Sequence, residues 1–237
     1  MSDDLTAADG PSAPAGPDGT ADGAGSATAA VELLGLLAYA ELVASLRMAE
    51  DAAMAPSLSG KATLAGLAAT EYGHFTSLRD RLTELGTDPE EAMRPFVAAL
   101  DDFHAGTRPS GWLEGLVKVY VGDGIAADFY REIAGKVDER TREIVLASLA
   151  DTEYAAFVVD EVRAAIEVDP KLAGRLALWA RRLVGEALSQ AQRVAAEHAE
   201  LATLIVGGDD ADTDVAKIFG RLYEAHTARM NALGLAI

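Results

Sequence analysis

The sequence predicts an all-α helical bundle, and three observations carry that expectation. Half of the 237 residues are hydrophobic while only 6% are aromatic, with Ala and Leu abundant, which suits helices better than sheets. Beyond residue 27 the five prolines Pro56, Pro89, Pro95, Pro109 and Pro170 stand between long stretches whose apolar residues recur at helical spacing. No stretch alternates with period two among β-branched residues, so no sheet is expected.

Residues 1–27 consist almost entirely of Ala, Gly, Asp, Ser, Thr and Pro, with five Asp and no Lys or Arg. Such a segment cannot offset its ordering entropy, and a disordered acidic tail is expected there. Residues 28–237 form the helical domain. Thr28 is a suitable N-cap for a first helix over 28–55. Further helices follow over 58–86, 90–106, 110–136, 138–168, 170–206 and 211–234, each bounded by the prolines or by Gly and Asp punctuation. The helices at 28–55, 58–86, 110–136 and 138–168 are long enough to run the length of a bundle. They give a core bundle at 28–168 and a helical extension at 169–237.

Acids outnumber bases 38 to 20, and the formal net charge of -18 repels phosphate backbones, so DNA binding is not expected. With no Cys there is no disulfide framework, zinc finger, iron-sulfur cluster or thiol nucleophile. The opening MSDDLTAADG has no apolar stretch, and no run reaches the roughly 18 uncharged apolar residues that a membrane span needs. A cytoplasmic protein without membrane association is the expectation.

The most informative feature is an internal repeat at an offset of 82 residues. The nine residues Leu67 to Phe75 match Leu149 to Phe157 at six positions, including Thr-Glu-Tyr. The same offset carries Glu41 onto Asp123. In the first helix the inward line reads Leu34, Leu37, Glu41, Ala44, Met48, and in the second Leu64, Leu67, Glu71, His74, Leu78, Leu82. The partner lines read Leu113, Leu116, Tyr120, Asp123, Ala127, Tyr130 and Leu146, Leu149, Glu153, Ala156. All four acids interrupt apolar stripes near mid-helix, so they are expected to meet in one inward layer. Buried carboxylates repel one another and cost several kcal/mol each to desolvate, so protons, buried Arg or Lys, or cations must compensate. Glu71 and His74, at i and i+3, put an oxygen and an imidazole on one face, a donor pair suited to iron or manganese.

This arrangement resembles the ferritin-like superfamily, in which a Glu from each of two helices and a Glu-x-x-His from each of two others hold a pair of irons inside a four-helix bundle. The resemblance covers about residues 30–168 and rests on Glu41, Glu71, His74, Asp123 and Glu153. It implies a ferritin-like four-helix bundle with additional C-terminal helices, one or two bound irons, manganese being the other candidate, and a dioxygen-dependent hydroxylase or related oxidoreductase. Glu41, Glu71 and His74 would hold one metal, Glu153 would bridge, and Asp123 would be a weak second-site ligand. The extension, with Trp179 to Glu186 and Phe219 to Leu235, is similar to actinobacterial proteins described as similar to the tRNA 2-methylthio-N6-isopentenyl-adenosine hydroxylase. Two positions depart from the superfamily pattern: Asp123 replaces a Glu, and Ala156 stands where a second His would be. The alternative is therefore a metal-poor or metal-free bundle with a binding or structural role.

The last helices carry polar residues on apolar lines: Leu176, Trp179, Leu183, Glu186, Gln190, Val194, and Phe219, Leu222, His226, Met230, Leu233. A buried hydrogen-bonded network is the plain reading, and a supporting shell of Glu186, Gln190 and His226 around the metal is the functional one. Lys171, Arg175, Arg181, Arg182 and Arg193 against Glu186 alone make residues 171–193 basic. They form a solvated face or a dock for RNA or an acidic partner. His104 and His198, among charged neighbours, are expected to be solvated. Tyr72, Tyr154, Phe75 and Phe157 are expected in the packing of the bundle. Homo-oligomerisation is left open.

Overall fold

The computed structural model describes residues 20–148, 153–206 and 211–236, and among them there is no strand. The chain runs α1 (Thr20–Ala52), α2 (Leu58–Glu84), α3 (Pro89–Met93), a 3-10 turn (Arg94–Phe96), α4 (Val97–Gly106), α5 (Trp112–Ala134), α6 (Glu139–Ala147), α7 (Glu153–Val168), α8 (Lys171–Glu197), α9 (Ala199–Val206) and α10 (Ala211–Ala232). The all-α expectation holds. Helix α1 starts at Thr20, ahead of the Thr28 start read from the sequence, and residues 1–19 of the acidic segment lie outside the described residues.

Three stretches read as single helices are each divided in the structure. Pro95 cannot donate a backbone hydrogen bond, and the 90–106 stretch passes through the 3-10 turn at that point. The 170–206 stretch breaks at His198, whose backbone leaves the helical region at φ -126 and ψ 80. Glu32 of α1 holds both sides of that break, accepting from the Leu201 amide at 3.2 Å and lying 3.2 Å from His198 Nδ1. The 138–168 stretch ends its first helix at Ala147 and resumes at Glu153, with residues 149–152 outside the described set. Asp138 caps α6 by accepting from the Thr141 amide, and Arg81 of α2 donates to both Asp138 and Thr141.

Helices α1 and α2 form a hairpin closed by residues 53–57, and Ser45 Oγ donates across it to the Ala68 carbonyl at 2.6 Å. Residues Ala27–Ala52 of α1 are long and apolar enough, at mean hydropathy 1.7, to pass a composition test for a membrane span. Half of that stretch is buried within the bundle, with Leu33, Leu34 and Leu37 in the core. Helix α3 crosses α1 at Gly35, where a Cβ would fall 2.2 Å from the Ala92 carbonyl oxygen. Gly35→Ala is expected to lower stability by about 1–3 kcal/mol in urea unfolding, because the backbone of α3 must shift. That loss outweighs the roughly 1 kcal/mol that alanine gains over glycine inside a helix.

The apolar core falls into clusters that leave a gap. One joins Leu33, Leu34 and Leu37 of α1 to Phe75, Leu78 and Leu82 of α2 and Tyr130 and Ile133 of α5. Another joins Met48 and Ala52 to Leu64, Leu67, Ala68 and Val119. Along α1, α2 and α5 the positions between these clusters are those of Glu41, Glu71 and Asp123. The third cluster joins Leu116, Val117 and Val121 of α5 to Val158 and Val162 of α7, Leu176 and Leu183 of α8, and Met230 and Leu233 at the end of α10. The C-terminal helices thus share a core with α5 and α7, and Trp179 Nε1 of α8 donates to the Glu114 carbonyl of α5 at 2.9 Å.

Candidate metal centre

Glu41 comes from α1 and Glu71 and His74 from α2, and the pairing of those two helices sets them at one height. One ligand atom from each lies within 4.8 Å of the others. His74 Nδ1 is 3.2 Å from Glu71 Oε2 and 3.9 Å from Glu41 Oε2. Glu41 is 7% exposed, and Glu71 and His74 are partly buried. The three residues line a partly open cavity of about 210 Å³. Asp123, Tyr120 and Tyr130 of α5 complete its walls with Tyr154 of α7, Arg229 of α10 and small apolar residues.

Burial holds the Glu41 carboxyl well above the usual carboxylate range, and the hydrogen bond to Glu71 and the charges of Glu71 and Asp123 add to the shift. For Glu71 burial also acts upward, but hydrogen bonds with Glu41 and His74 and the His74 charge outweigh it and draw the carboxyl down. Metal-free, burial thus favours a proton on the Glu41 side of the pair, and hydrogen bonding favours charge on the Glu71 side. Asp123 is likewise raised by burial and the Glu71 charge, with the Tyr154 hydrogen bond opposing. Tyr154 donates to Asp123 Oδ2 at 2.8 Å. Burial and the charges of Glu71 and Asp123 push the Tyr130 and Tyr154 phenols upward, with Glu41 adding to the shift of Tyr130, so both remain neutral.

Glu41, Glu71, His74 and Asp123 are therefore gathered around one cavity. The Glu153 side chain lies outside the described residues. The remaining α7 positions correct the register expected from the repeat. Ala156 is exposed, while Tyr154 and Ala155 line the cavity and Val158 is buried. Position 156 therefore does not face the site. Helix α2 runs unbroken through its half of the repeat, whereas residues 149–152 of the other half lie outside the described residues. Of the residues expected as a supporting shell, Glu186 of α8 lies against Gly106 of α4, and a Cβ at Gly106 would stand 3.3 Å from its carboxyl carbon. Gln190 Oε1 is buried with no hydrogen-bond partner among the described residues. Neither residue lines the cavity. His226 sits beside Arg229 and Asp128, and burial lowers its pKa.

Other placements also differ from expectation. His198 is partly buried against the Phe96 ring at 4.5 Å between centroids and is held by Glu32. His104 is partly buried, and burial with the Lys118 and Arg47 charges pushes its imidazole down to about 3. Charged neighbours in sequence say nothing about which helix covers a side chain. Tyr72 is exposed, whereas Tyr154, expected only as packing, bonds Asp123 in the cavity wall. Arg229 had no sequence signal beyond its place three residues after His226. Of the basic run on α8, Arg193 pairs with Asp102 and Glu197, Arg181 donates to the Ala236 carbonyl, Arg175 lies 3.9 Å from Glu114, and Lys171 and Arg182 are exposed.

The donor set suits one small hard or borderline cation. Two carboxylates and one imidazole converge from two helices, and the proton that burial favours on Glu41 is what a cation would displace. A family model described as Ferritin-like domain, actinomycetes matches residues 26–208. No curated protein matches the chain.

Proposed function

The chain belongs to the ferritin-like domain family of actinomycetes, and on that premise we propose that it is a cytoplasmic non-haem iron hydroxylase. Glu41, Glu71 and His74 hold the metal, with manganese the competing occupant. The observation that carries this reading is the convergence of three ligand atoms from α1 and α2 within 4.8 Å inside the cavity. Bound iron would supply the redox chemistry that activates dioxygen. Hydroxylation of an organic substrate consumes one dioxygen, two protons and two electrons from an external reductant, and yields the hydroxylated product and water. Holding a cation would require Glu41 in its ionised form, against the burial that raises its carboxyl. Tyr154 fixes Asp123 by its hydrogen bond, and the buried Tyr130 lines the same cavity. Asp123 and Glu153 are the carboxylates available to a second ion, which would have no second imidazole from position 156.

Iron and manganese content, measured on protein purified without chelators, tests the proposal. About one equivalent of iron is expected. Less than about one tenth of an equivalent, with no gain on anaerobic Fe(II) reconstitution, overturns it. The bond that engages Asp123 with Tyr154 and the exposure of Ala156 favour a second reading, a bundle that holds no metal, and the same measurement decides between them. The likeness to tRNA hydroxylases adds an RNA-directed version in which the exposed part of the basic run on α8 docks tRNA. An unchanged tRNA nucleoside profile in a deletion strain would discard that version.

A further inference from the structure

The cavity that gathers the acids carries an opposite charge on its α10 side. Arg229 has one ion-pair contact: Nη1 stands 2.7 Å from Asp128 Oδ2, close enough for charge attraction but without hydrogen-bond geometry. Asp128 is shared, since Arg131 donates to its other oxygen at 2.9 Å. Two guanidinium groups thus face one carboxylate, and a positive charge is left over at the rim. Arg229 Nε and Nη2 are buried and have no hydrogen-bond partner among the described residues. The Arg229 side chain is only 14% exposed, so this unpaired edge carries a desolvation penalty that no hydrogen bond among the described residues offsets.

The helix beneath the guanidinium is shaped for it. Gly124 follows Asp123 in α5, and a Cβ there would fall 2.5 Å from Arg229 Cδ, 2.6 Å from Nε and 2.9 Å from Cζ. Glycine in a helix interior costs about 1 kcal/mol against alanine, and here it admits the side chain to the cavity wall. Nε–H and Nη2–H lie on one side of the guanidinium plane, the edge that pairs with a planar carboxylate through two parallel bonds. Ala40, Ala44, Leu67 and Ala127 form an apolar stretch of the lining, which Tyr120, Tyr130, Tyr154 and a second guanidinium, Arg131, share.

We propose that Arg229 is the anchor of a small organic carboxylic acid, whose carboxylate takes the Nε and Nη2 edge and whose apolar body lies along the alanine-rich wall toward Glu41, Glu71 and His74. The inference rests on the reading of this cavity as the reaction site, and it names the substrate class. A modest opening of the Arg229 edge accompanies entry, since both nitrogens are covered in the ligand-free chain.

Hexanoate and hexanamide serve as probes, titrated by calorimetry and by ligand-observed NMR into the full chain as purified and again after chelator treatment. Hexanoate is expected to bind at least about tenfold more tightly than hexanamide, because a charge-assisted bidentate pair exceeds a neutral hydrogen bond by 1.4 kcal/mol or more, a tenfold change. Arg229→Gln is expected to remove that preference while metal content stays at the wild-type level. Gly124→Ala, which displaces the same side chain without deleting its charge, should do likewise and serves if Arg229→Gln does not fold. Hexanoate binding within twofold of hexanamide in the wild type, or a preference that survives both variants, overturns the proposal. So does inorganic phosphate displacing hexanoate at lower concentration than a short carboxylate such as acetate, which would make the anchor a phosphate site. Acid bound through Arg229 by a chain that takes up no iron would sink the metal reading and leave this one standing. Iron bound without any preference for the acid would do the reverse.

Discussion

Replacing His74 with alanine is expected to leave the chain folded and nearly free of iron. His74 is the nitrogen donor among the gathered ligands, and it also holds Glu71 in place at 3.2 Å. Removing a group that merely orients a ligand lowers metal affinity about 10- to 100-fold, and removing a ligand that is itself an orienter should cost at least the upper figure. Metal analysis of the His74→Ala chain, purified beside the wild type, checks this, and retention of wild-type iron would show that the cluster is not the binding site. The fold tolerates the change because the ring is partly solvated and its loss leaves space open to the cavity. Position 156 supplies the control. The repeat in the sequence suggests that Ala156→His would complete a second Glu-x-x-His, but Ala156 is exposed on α7. Its iron stoichiometry should therefore equal the wild type's, and a gain toward two irons would restore the symmetry that the exposure of Ala156 denies.

The second large effect is an inversion of pH dependence by the metal. Glu41 and Asp123 have carboxyls raised by burial in the metal-free fold. A raised carboxyl holds a proton that the unfolded chain has released, so its contribution to stability is complete below about pH 4 and is lost as pH rises through the folded-state value. Glu71 is drawn down and acts oppositely: its contribution is present above about pH 4.5 and is lost only as pH falls through its lowered value. Between pH 5 and 8 two raised groups are in play, and the melting temperature of the metal-free chain should fall. Each released proton changes stability by at most about 1.4 kcal/mol per pH unit. Metal binding needs those carboxylates ionised, so the loaded chain should gain stability over the same interval. Glu41→Gln provides the internal check, flattening the metal-free slope and raising stability at pH 8 while abolishing the gain from iron. Parallel slopes for metal-free and metal-loaded protein would mean that the acids are not buried together.

The candidate site was partly legible because helical spacing is a local property. Glu71 and His74, three residues apart, share a face in any α-helix, and Glu41 interrupts an apolar stripe whose neighbours Leu37 and Met48 must be covered. Once both stripes face inward, the short link at 53–57 brings Glu41 and Glu71 to one height. Asp123 follows from the same reasoning on α5. The reasoning failed where it assumed continuous phase. Carrying α2's pattern onto residues 149–157 required an unbroken helix, whereas α6 ends at Ala147 and α7 is described from Glu153 with its own inward face. Tyr154 therefore takes the inward place and Ala156 the outward one.

Composition and periodicity by themselves determined that this chain is helical, where its long helices run, and that carboxylates and one imidazole sit on inward faces, because each follows from spacing along a single helix. Only the tertiary structure decided which of those groups meet. The Tyr154 bond to Asp123, the hold of Glu32 on His198, and the Arg229 guanidinium over Gly124 all join residues at least 31 positions apart. No local pattern encodes such pairings. They depend on which helix packs on which, and the burial of apolar stripes across the whole bundle selects that packing before any polar pair is made.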